Sequence, residues 1–287
     1  MARKARRKPM LRLIAAEWTM RGYPASNREW SMDRKVKAAK EAGFRGLSAP
    51  ADDEVIAALH KHKMVHVGNV DVSTEGQVAR RLRKFQKAGA VHINVQLCDH
   101  DTPIKTSLPV ARKVMVVGDE LGIKPAIEVH RDTCTETPEK TFALAKAYER
   151  RYKKKLRMNF DHSHPAIIKQ LRPPTYWKRL SERLDLFLMA ELIHLRPFTG
   201  SHCQTPVTNG KGKLDTDFKT WLDNFCEPAL KAWLKGAGPG KELFAVVELG
   251  PKGSGYGLAV FPDIWKDAIR GRREIARVFR KLVQDWK

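Results

Sequence analysis

Four side chains of metal-ligand type stand at the C-terminal ends of apolar runs, and their spacing constrains the fold more than any other feature of the chain. Glu128 ends Pro125-Ala126-Ile127-Glu128, Asp161 ends the run 156–161, His194 ends 186–194, and Glu248 ends 243–248. The interval from Glu128 to Asp161 is 33 residues, and 33 more lead to His194. Roughly 30 residues is the length of one strand-plus-helix unit, so the repeat implies a barrel of such units. Side chains at the C-terminal strand ends of an α/β, (β/α)8 barrel all enter one mouth, the face where barrel active sites lie. A hard divalent cation suits a donor set of three carboxylates and one imidazole.

The remainder of the chain reads in the same alternation of strand and helix. Strand candidates are residues 11–16, 44–48, 64–68 and 91–96, which with the four ligand-bearing runs make eight. Helix candidates are residues 32–42, 53–62, 77–88, 107–121, 138–151 and 165–184, each with apolar side chains at three- and four-residue intervals. Gly43, Gly89 and Gly122 each follow a helix candidate, where a left-handed C-cap is required. The 287 residues suffice for a single barrel domain, 11–287, after a basic N-terminal arm, 1–10. The interval from His194 to Glu248 is longer than the others, and the excess falls in the loop 196–215, expected to lie over the mouth and serve the substrate.

Composition narrows the class. With 42% hydrophobic and 30% charged residues the chain has enough apolar side chains for a buried core. No apolar run approaches the roughly 18 residues of a membrane span, and the basic N-terminus leads into no signal-type stretch. The expectation is a cytoplasmic protein with no membrane partner. Cys98, Cys134, Cys203 and Cys226 are widely spaced without a Cys-x-x-Cys pair, which argues for free thiols. A net charge of +22 attracts nucleic acid and phosphorylated ligands. Because Lys and Arg are spread over nearly every helix candidate, the expected nucleic-acid binding is at most non-specific.

The residues resemble those of the xylose-isomerase-like TIM barrels, a family that includes sugar epimerases, hydroxypyruvate isomerase, inosose dehydratase and, more distantly, endonuclease IV. The resemblance rests on Glu128 at strand five, on Asp161-His162-Ser163-His164 as the family's Asp-x-x-His, on His194-Leu195-Arg196, and on Val247-Glu248-Leu249-Gly250-Pro251. The segment Glu128-Val129-His130-Arg131-Asp132-Thr133 also looks like that of one branch of the family. The resemblance implies that Glu128, Asp161, His194 and Glu248 bind one Mn²⁺ or Mg²⁺, with Zn²⁺ also compatible. It implies further that Glu128 and Glu248 act as the acid/base pair of an isomerase, epimerase or dehydratase working on a sugar or sugar acid through an enediolate. Many relatives are dimers or tetramers, so the resemblance is compatible with a homo-oligomer and leaves the oligomeric state open.

Around that set stand candidate substrate contacts. His164 matches the family residue that touches a substrate oxygen, with helix capping as its plain alternative. Arg196 should share the His194 side and grip a hydroxyl, carboxylate or phosphate, unless it pairs with Glu191. His130 shares the Glu128 face, whereas Arg131 does not. Trp18 can stack on a sugar ring or act as a packing lid. His66, Gln96 and Gln204 can read hydroxyls or satisfy loop backbone. Tyr256, in a glycine-rich mouth loop, is a further candidate, and Trp221, Phe225 and Trp233 read as core. Two other readings compete. One is a zinc phosphodiesterase resembling endonuclease IV, which the charge would suit, although that family uses three Zn²⁺ and a downstream Asp-x-His that Asp215-Thr216-Asp217 does not supply. The other is a barrel that retains the metal site without catalysis.

Overall fold

Eight parallel strands pair in sequence order and close on themselves. In this computed structural model, which describes residues 7–286, they are β1 Met10–Ala16, β2 Gly46–Ala49, β3 Val65–Val72, β4 His92–Leu97, β5 Lys124–Val129, β6 Met158–Asp161, β7 Leu192–His194 and β8 Glu242–Val247. Closure runs from Met10 opposite Glu242 to Ala15 opposite Val247. The outer layer is α1 Met32–Glu41, α2 Asp53–His62, α3 Glu75–Lys87, α4 Ile104–Leu121, α5 Pro138–Tyr152, α6 Ser163–Ile168, α7 Tyr176–Leu180, α8 Leu184–Met189, α9 Thr216–Trp221, α10 Glu227–Gly236 and α11 Ile264–Leu282. None of these helices is long and apolar enough to cross a membrane.

The two-residue period of the strands sorts side chains between the barrel interior and the helix layer. Ile14, Ala16, Val67, Leu192, Phe244 and Val246 form a small buried cluster inside the barrel. Their neighbours Leu13, Ala15, Ile193, Leu243, Ala245 and Val247 join the large core beneath the helices, where Trp221, Phe225 and Trp233 are also buried. The interior rows continue upward into polar residues: Asn94 above His92, Asn159 and Asp161 on β6, His194 above Leu192, and Glu248 above Val246. The apolar floor therefore ends where the polar mouth begins.

Gly43, Gly89 and Gly122 have φ of 82°, 68° and 66°, so the C-cap reading holds at all three helix ends. A Cβ at Gly89 or Gly122 would meet nothing within 4 Å, so the requirement there is the left-handed backbone alone. Two expectations are corrected. The helix expected over 165–184 is broken into α6, a 3-10 turn at Pro173–Thr175, and α7. Pro173 and Pro174 cause the break, since each lacks an N–H and disfavours helical backbone before it. Residues 186–189, expected to begin strand seven, lie in α8, and β7 is only Leu192–His194. Their run is apolar on every side, and periodicity does not separate a short buried helix from a strand. At the N-terminus β1 already begins at Met10, Arg7 O accepts from Gly240 N at 2.7 Å, and Lys8 Nζ donates to Val283 O at 3.1 Å. Residues 1–6 of the basic arm lie outside the described residues.

Candidate functional site

Glu128, Asp161, His194 and Glu248 each project from the C-terminal end of a different strand, from β5 round to β8, and their ligand atoms lie within 4.8 Å of one another. His194 Nδ1 is 3.0 Å from Glu128 Oε1, 2.9 Å from Glu248 Oε2 and 3.7 Å from Asp161 Oδ2. Glu128 and Asp161 are buried, and the Glu248 side chain keeps 13% of its surface exposed. Above the cluster opens a cavity of about 330 Å³, lined on this side by Glu128, His130, His194, Arg196 and Glu248 and on the other by Trp18, Asn69, Asp71, Asn94 and Gln96.

Hydrogen bonds fix the first of these carboxylates from behind. Asn94 Nδ2 donates to Glu128 Oε2 at 2.6 Å, and Asn94 Oδ1 accepts from Asn159 Nδ2 at 2.6 Å. Arg196 Nη2 lies 3.1 Å from Asp161 Oδ2 and 2.9 Å from Glu248 Oε2. Its guanidinium also sits 5.5 Å from the Trp18 ring and 4.5 Å from the Tyr256 ring. Ser163 N and Oγ both donate to Asp161 Oδ1, at 3.0 and 2.6 Å.

The charges are strongly coupled. Burial opposes ionisation of Glu128, but His194 and His130 outweigh it and hold the carboxyl down to about 2. Burial likewise opposes ionisation of Asp161, and Arg196 and His164 overcome it, well below the ordinary range. Glu248 is lowered because Arg196 and His194 outweigh its burial. The same carboxylates push His194 far above its usual value against the cost of burying the cation. Burial and the neighbouring His164 hold His130 down to about 4, so it is a neutral imidazole at pH 7.

These residues fit a divalent cation. Three ionised carboxylates face one guanidinium, leaving two negative charges that a proton on His194 offsets only in part. Both ring nitrogens of His194 and Glu248 Oε2 are buried without a hydrogen bond, although Nδ1 is close to two carboxylates. Buried polar atoms of this kind are normally satisfied, and convergence on a shared point without hydrogen-bond alignment is the geometry of ligands around an ion. The donors are mostly oxygen, as Mg²⁺ and Mn²⁺ prefer. Among the described residues this is the one such group of His, Cys, Asp and Glu.

Of the substrate-contact candidates, Trp18, Gln96, His130 and Arg196 line the cavity. Arg196 does not pair with Glu191, whose partner is Lys124. His164 is fully buried beneath the cavity, 3.4 Å from Asp161 Oδ2 with its ring 3.9 Å from that of His130, so it supports those two groups. His66 falls between the inward residues Val65 and Val67 and therefore points to the helix layer. There its Nε2 is 3.0 Å from Ala49 O and its ring packs on Phe85. Gln204 donates to Gly250 O at 3.1 Å and accepts from Gly250 N at 2.5 Å, tying the loop 196–215 to the loop after β8. Three features were not anticipated. The Asn94–Asn159 pair was signalled by the inward period of β4 and β6. The buried Lys35, 2.8 Å from Glu17 at the cavity wall, joins α1 to the loop after β1 and carries no local signal. Arg131, just before Asp132 at φ 60°, does not line the cavity but lays its guanidinium 4.3 Å from the ring of the wall residue Tyr256.

No family model matches the chain, and no curated protein matches it. Solved structures do match over nearly the full length. An L-ribulose 3-epimerase is 11% identical, with 96% of each chain covered and a TM-score of 0.64. A D-tagatose 3-epimerase-like protein is 10% identical over 95% of this chain and 98% of its own, with a TM-score of 0.62. A xylose isomerase-like TIM barrel protein from Mycobacterium smegmatis, solved in complex with magnesium, is 11% identical over 95% and 97%, with a TM-score of 0.58. The chain thus has the xylose-isomerase-like barrel fold.

Proposed function

We propose that this protein is a divalent-metal-dependent isomerase or epimerase that moves a carbon-bound proton of a sugar or sugar acid. The observation that carries the reading is the placement of two carboxylates, Glu128 and Glu248, within 3.0 Å of the same His194 nitrogen beneath an open polar cavity. The epimerase and magnesium-bound neighbours support it at the level of the fold. Glu128, Asp161, His194 and Glu248 would hold one Mn²⁺ or Mg²⁺, with Zn²⁺ compatible. Such an ion, when bound, acts as a Lewis acid on the substrate carbonyl and as a template for its oxygens.

The chain's own residues do the rest. Glu128 and Glu248 reach the site from different strands, so one accepts the proton and the other returns it to the carbon from its own side. Asn94 holds Glu128 Oε2 and leaves Oε1 toward the site, while Arg196 keeps Glu248 ionised and ready to accept. Gln96, Asn69 and Asp71 offer hydrogen bonds to hydroxyls, and Trp18 offers an apolar face to the ring. A cavity of about 330 Å³ is at the small end of ligand pockets and suits one monosaccharide. The single ligand cluster among the described residues supports one-ion chemistry over a three-zinc phosphodiesterase.

The test is solvent deuterium incorporation into a panel of ketoses and keto acids by Mn²⁺-loaded protein. Glu248→Gln is expected to reduce exchange by about 10²- to 10⁴-fold, the contribution of a general acid or base, with much less effect on ligand binding. Exchange at the original rate in that variant would reject the role.

A further inference from the structure

Two of the four cysteines lie side by side at the C-terminal ends of neighbouring strands. All four are free thiols; Cys98 is half-buried, and Cys134, Cys203 and Cys226 are buried. Cys98 follows the last residue of β4, and Cys134 lies in the loop after β5. Cys134 N donates to Leu97 O at 3.2 Å, so the two segments run together. Segments joined in this way sit about 4.7–4.9 Å apart, inside the roughly 4.4–6.8 Å between Cα atoms that a disulfide spans. The side chains meet as well, with the Cys134 thiol donating to the Cys98 sulfur.

The two thiols differ as the members of a reactive pair do. The bond from Cys134 holds the Cys98 thiol below its ordinary range, against its partial burial and the charge of Asp99, whereas the same contact and burial push Cys134 up. The more accessible thiol is therefore the one that ionises first, and the thiolate is the nucleophile. A second cysteine within reach resolves the oxidised first one. We propose that hydrogen peroxide joins Cys98 and Cys134 in a reversible disulfide that locks the turn after β5. The Cys98 thiolate attacks one peroxide oxygen, the O–O bond breaks, and Cys98 becomes a sulfenic acid while the departing hydroxide takes up the proton that Cys98 released. The Cys134 sulfur then displaces the sulfenic oxygen, which leaves as water with the Cys134 proton. The thiols give up a pair of electrons, and the peroxide is reduced to water. The locked turn belongs to the site. Thr133 and Thr135, on either side of Cys134, donate to His130 O at 2.7 Å and to Glu128 O at 2.5 Å, and His130 lines the cavity. A bond from Cys134 to the end of β4 thus restrains the wall segment that carries His130.

The test is peptide mass mapping of the full chain after hydrogen peroxide, with and without subsequent dithiothreitol, together with amide hydrogen exchange over residues 130–135. The expected product links Cys98 to Cys134, keeps Cys203 and Cys226 as free thiols and reverts in dithiothreitol. Its amides in that segment should exchange severalfold more slowly, because the cross-link suppresses local opening. Cys134→Ser should instead hold Cys98 as a sulfenic acid that dimedone traps, and Cys98→Ser should leave Cys134 unmodified at the same dose of peroxide. Survival of all four thiols in the wild type, a disulfide that includes Cys203 or Cys226, or unchanged exchange in the linked protein would each overturn the proposal. Oxidation of Cys134 in Cys98→Ser as fast as that of Cys98 in the wild type would overturn it too, since Cys98 would not be the thiol attacked first.

Discussion

Replacing Asn94 by Leu, a change of shape kept small and of polarity made large, tests whether the barrel interior holds Glu128 for its task. Asn94 is fully buried. Its amide donates to Glu128 Oε2 at 2.6 Å and to Asn69 Oδ1 at 3.1 Å, and its carbonyl accepts from Asn159 at 2.6 Å. The bond to an ionised carboxylate is worth about 1.5–3 kcal/mol and the neutral one to Asn159 about 0.5–1.5 kcal/mol. Their loss predicts a stability decrease of about 2–4 kcal/mol, reduced to the extent that water enters from the cavity. Groups that orient metal ligands contribute about 10- to 100-fold in affinity or activity, so Mn²⁺ binding should weaken by that factor. Urea unfolding gives the first quantity and calorimetric titration with Mn²⁺ the second. If Asn94→Leu unfolds at the wild-type urea concentration and binds Mn²⁺ as tightly, Glu128 is held by something other than this amide, and the account of its orientation fails.

Other expectations follow from the same structure. His92 lies under the barrel floor, 4.6 Å from Phe244, and burial pushes its pKa down to about 4 from the ordinary 6.5 of a histidine. A depressed folded pKa means the unfolded chain binds more protons between those values, so this contribution is present above about pH 6.5 and lost as pH falls toward 4; by pH 5 about 2 kcal/mol should be gone. Urea midpoints at pH 7.5 and 5 should show a smaller acid loss in His92→Leu, and an equal loss in both proteins would refute the assignment. Gly46→Ala places a Cβ 2.3 Å from Val65 O on the next strand and should cost about 1–3 kcal/mol or prevent folding. Gly89→Ala, with open space but φ of 68°, should cost only about 1–2 kcal/mol. Equal melting temperatures for these two variants would contradict the distinction. Any affinity for DNA should fall by orders of magnitude between about 50 and 200 mM salt, without scission of an abasic-site duplex by zinc-loaded protein; scission abolished by Asp161→Ala would favour the phosphodiesterase reading.

The four clustered residues were legible because each sits at the end of an apolar strand, and the first three are also spaced at an interval of one strand-plus-helix unit. The helices with a glycine past their last turn were legible for a similar reason, since a left-handed C-cap leaves a mark at one position. Alternation of faces ranked His130 above Arg131 at the end of β5, and His130 lines the cavity where Arg131 does not. His66 shows the converse, because the valines on either side of it already assign the inward row of β3. Nothing local marks Lys35 as the buried partner of Glu17, or Gln204 as the clamp on Gly250. Those contacts exist only once the ends of distant segments have been brought together by barrel closure.

Net charge was the most conspicuous number in the sequence, and distance explains why it did not identify the site. Lys and Arg on the outer helices act through solvent, where at physiological ionic strength interactions fade over about 8 Å. The ligand atoms lie within 4.8 Å of one another in a buried setting, where screening is weak and each neighbour counts fully. A divalent cation approaching the mouth therefore meets a screened positive exterior and a locally negative floor, and at short range the floor governs. An anionic substrate meets the same two terms in the opposite order. It is drawn in by the exterior, then held off the carboxylates by their charge until an ion on the floor offsets them. Metal binding is thus expected to precede anionic substrate binding. Calorimetry of D-fructose 6-phosphate and 5-keto-D-gluconate in EDTA, set against the same titrations with Mn²⁺, would show this as tighter binding in the loaded protein, and equal affinity in both would refute the order.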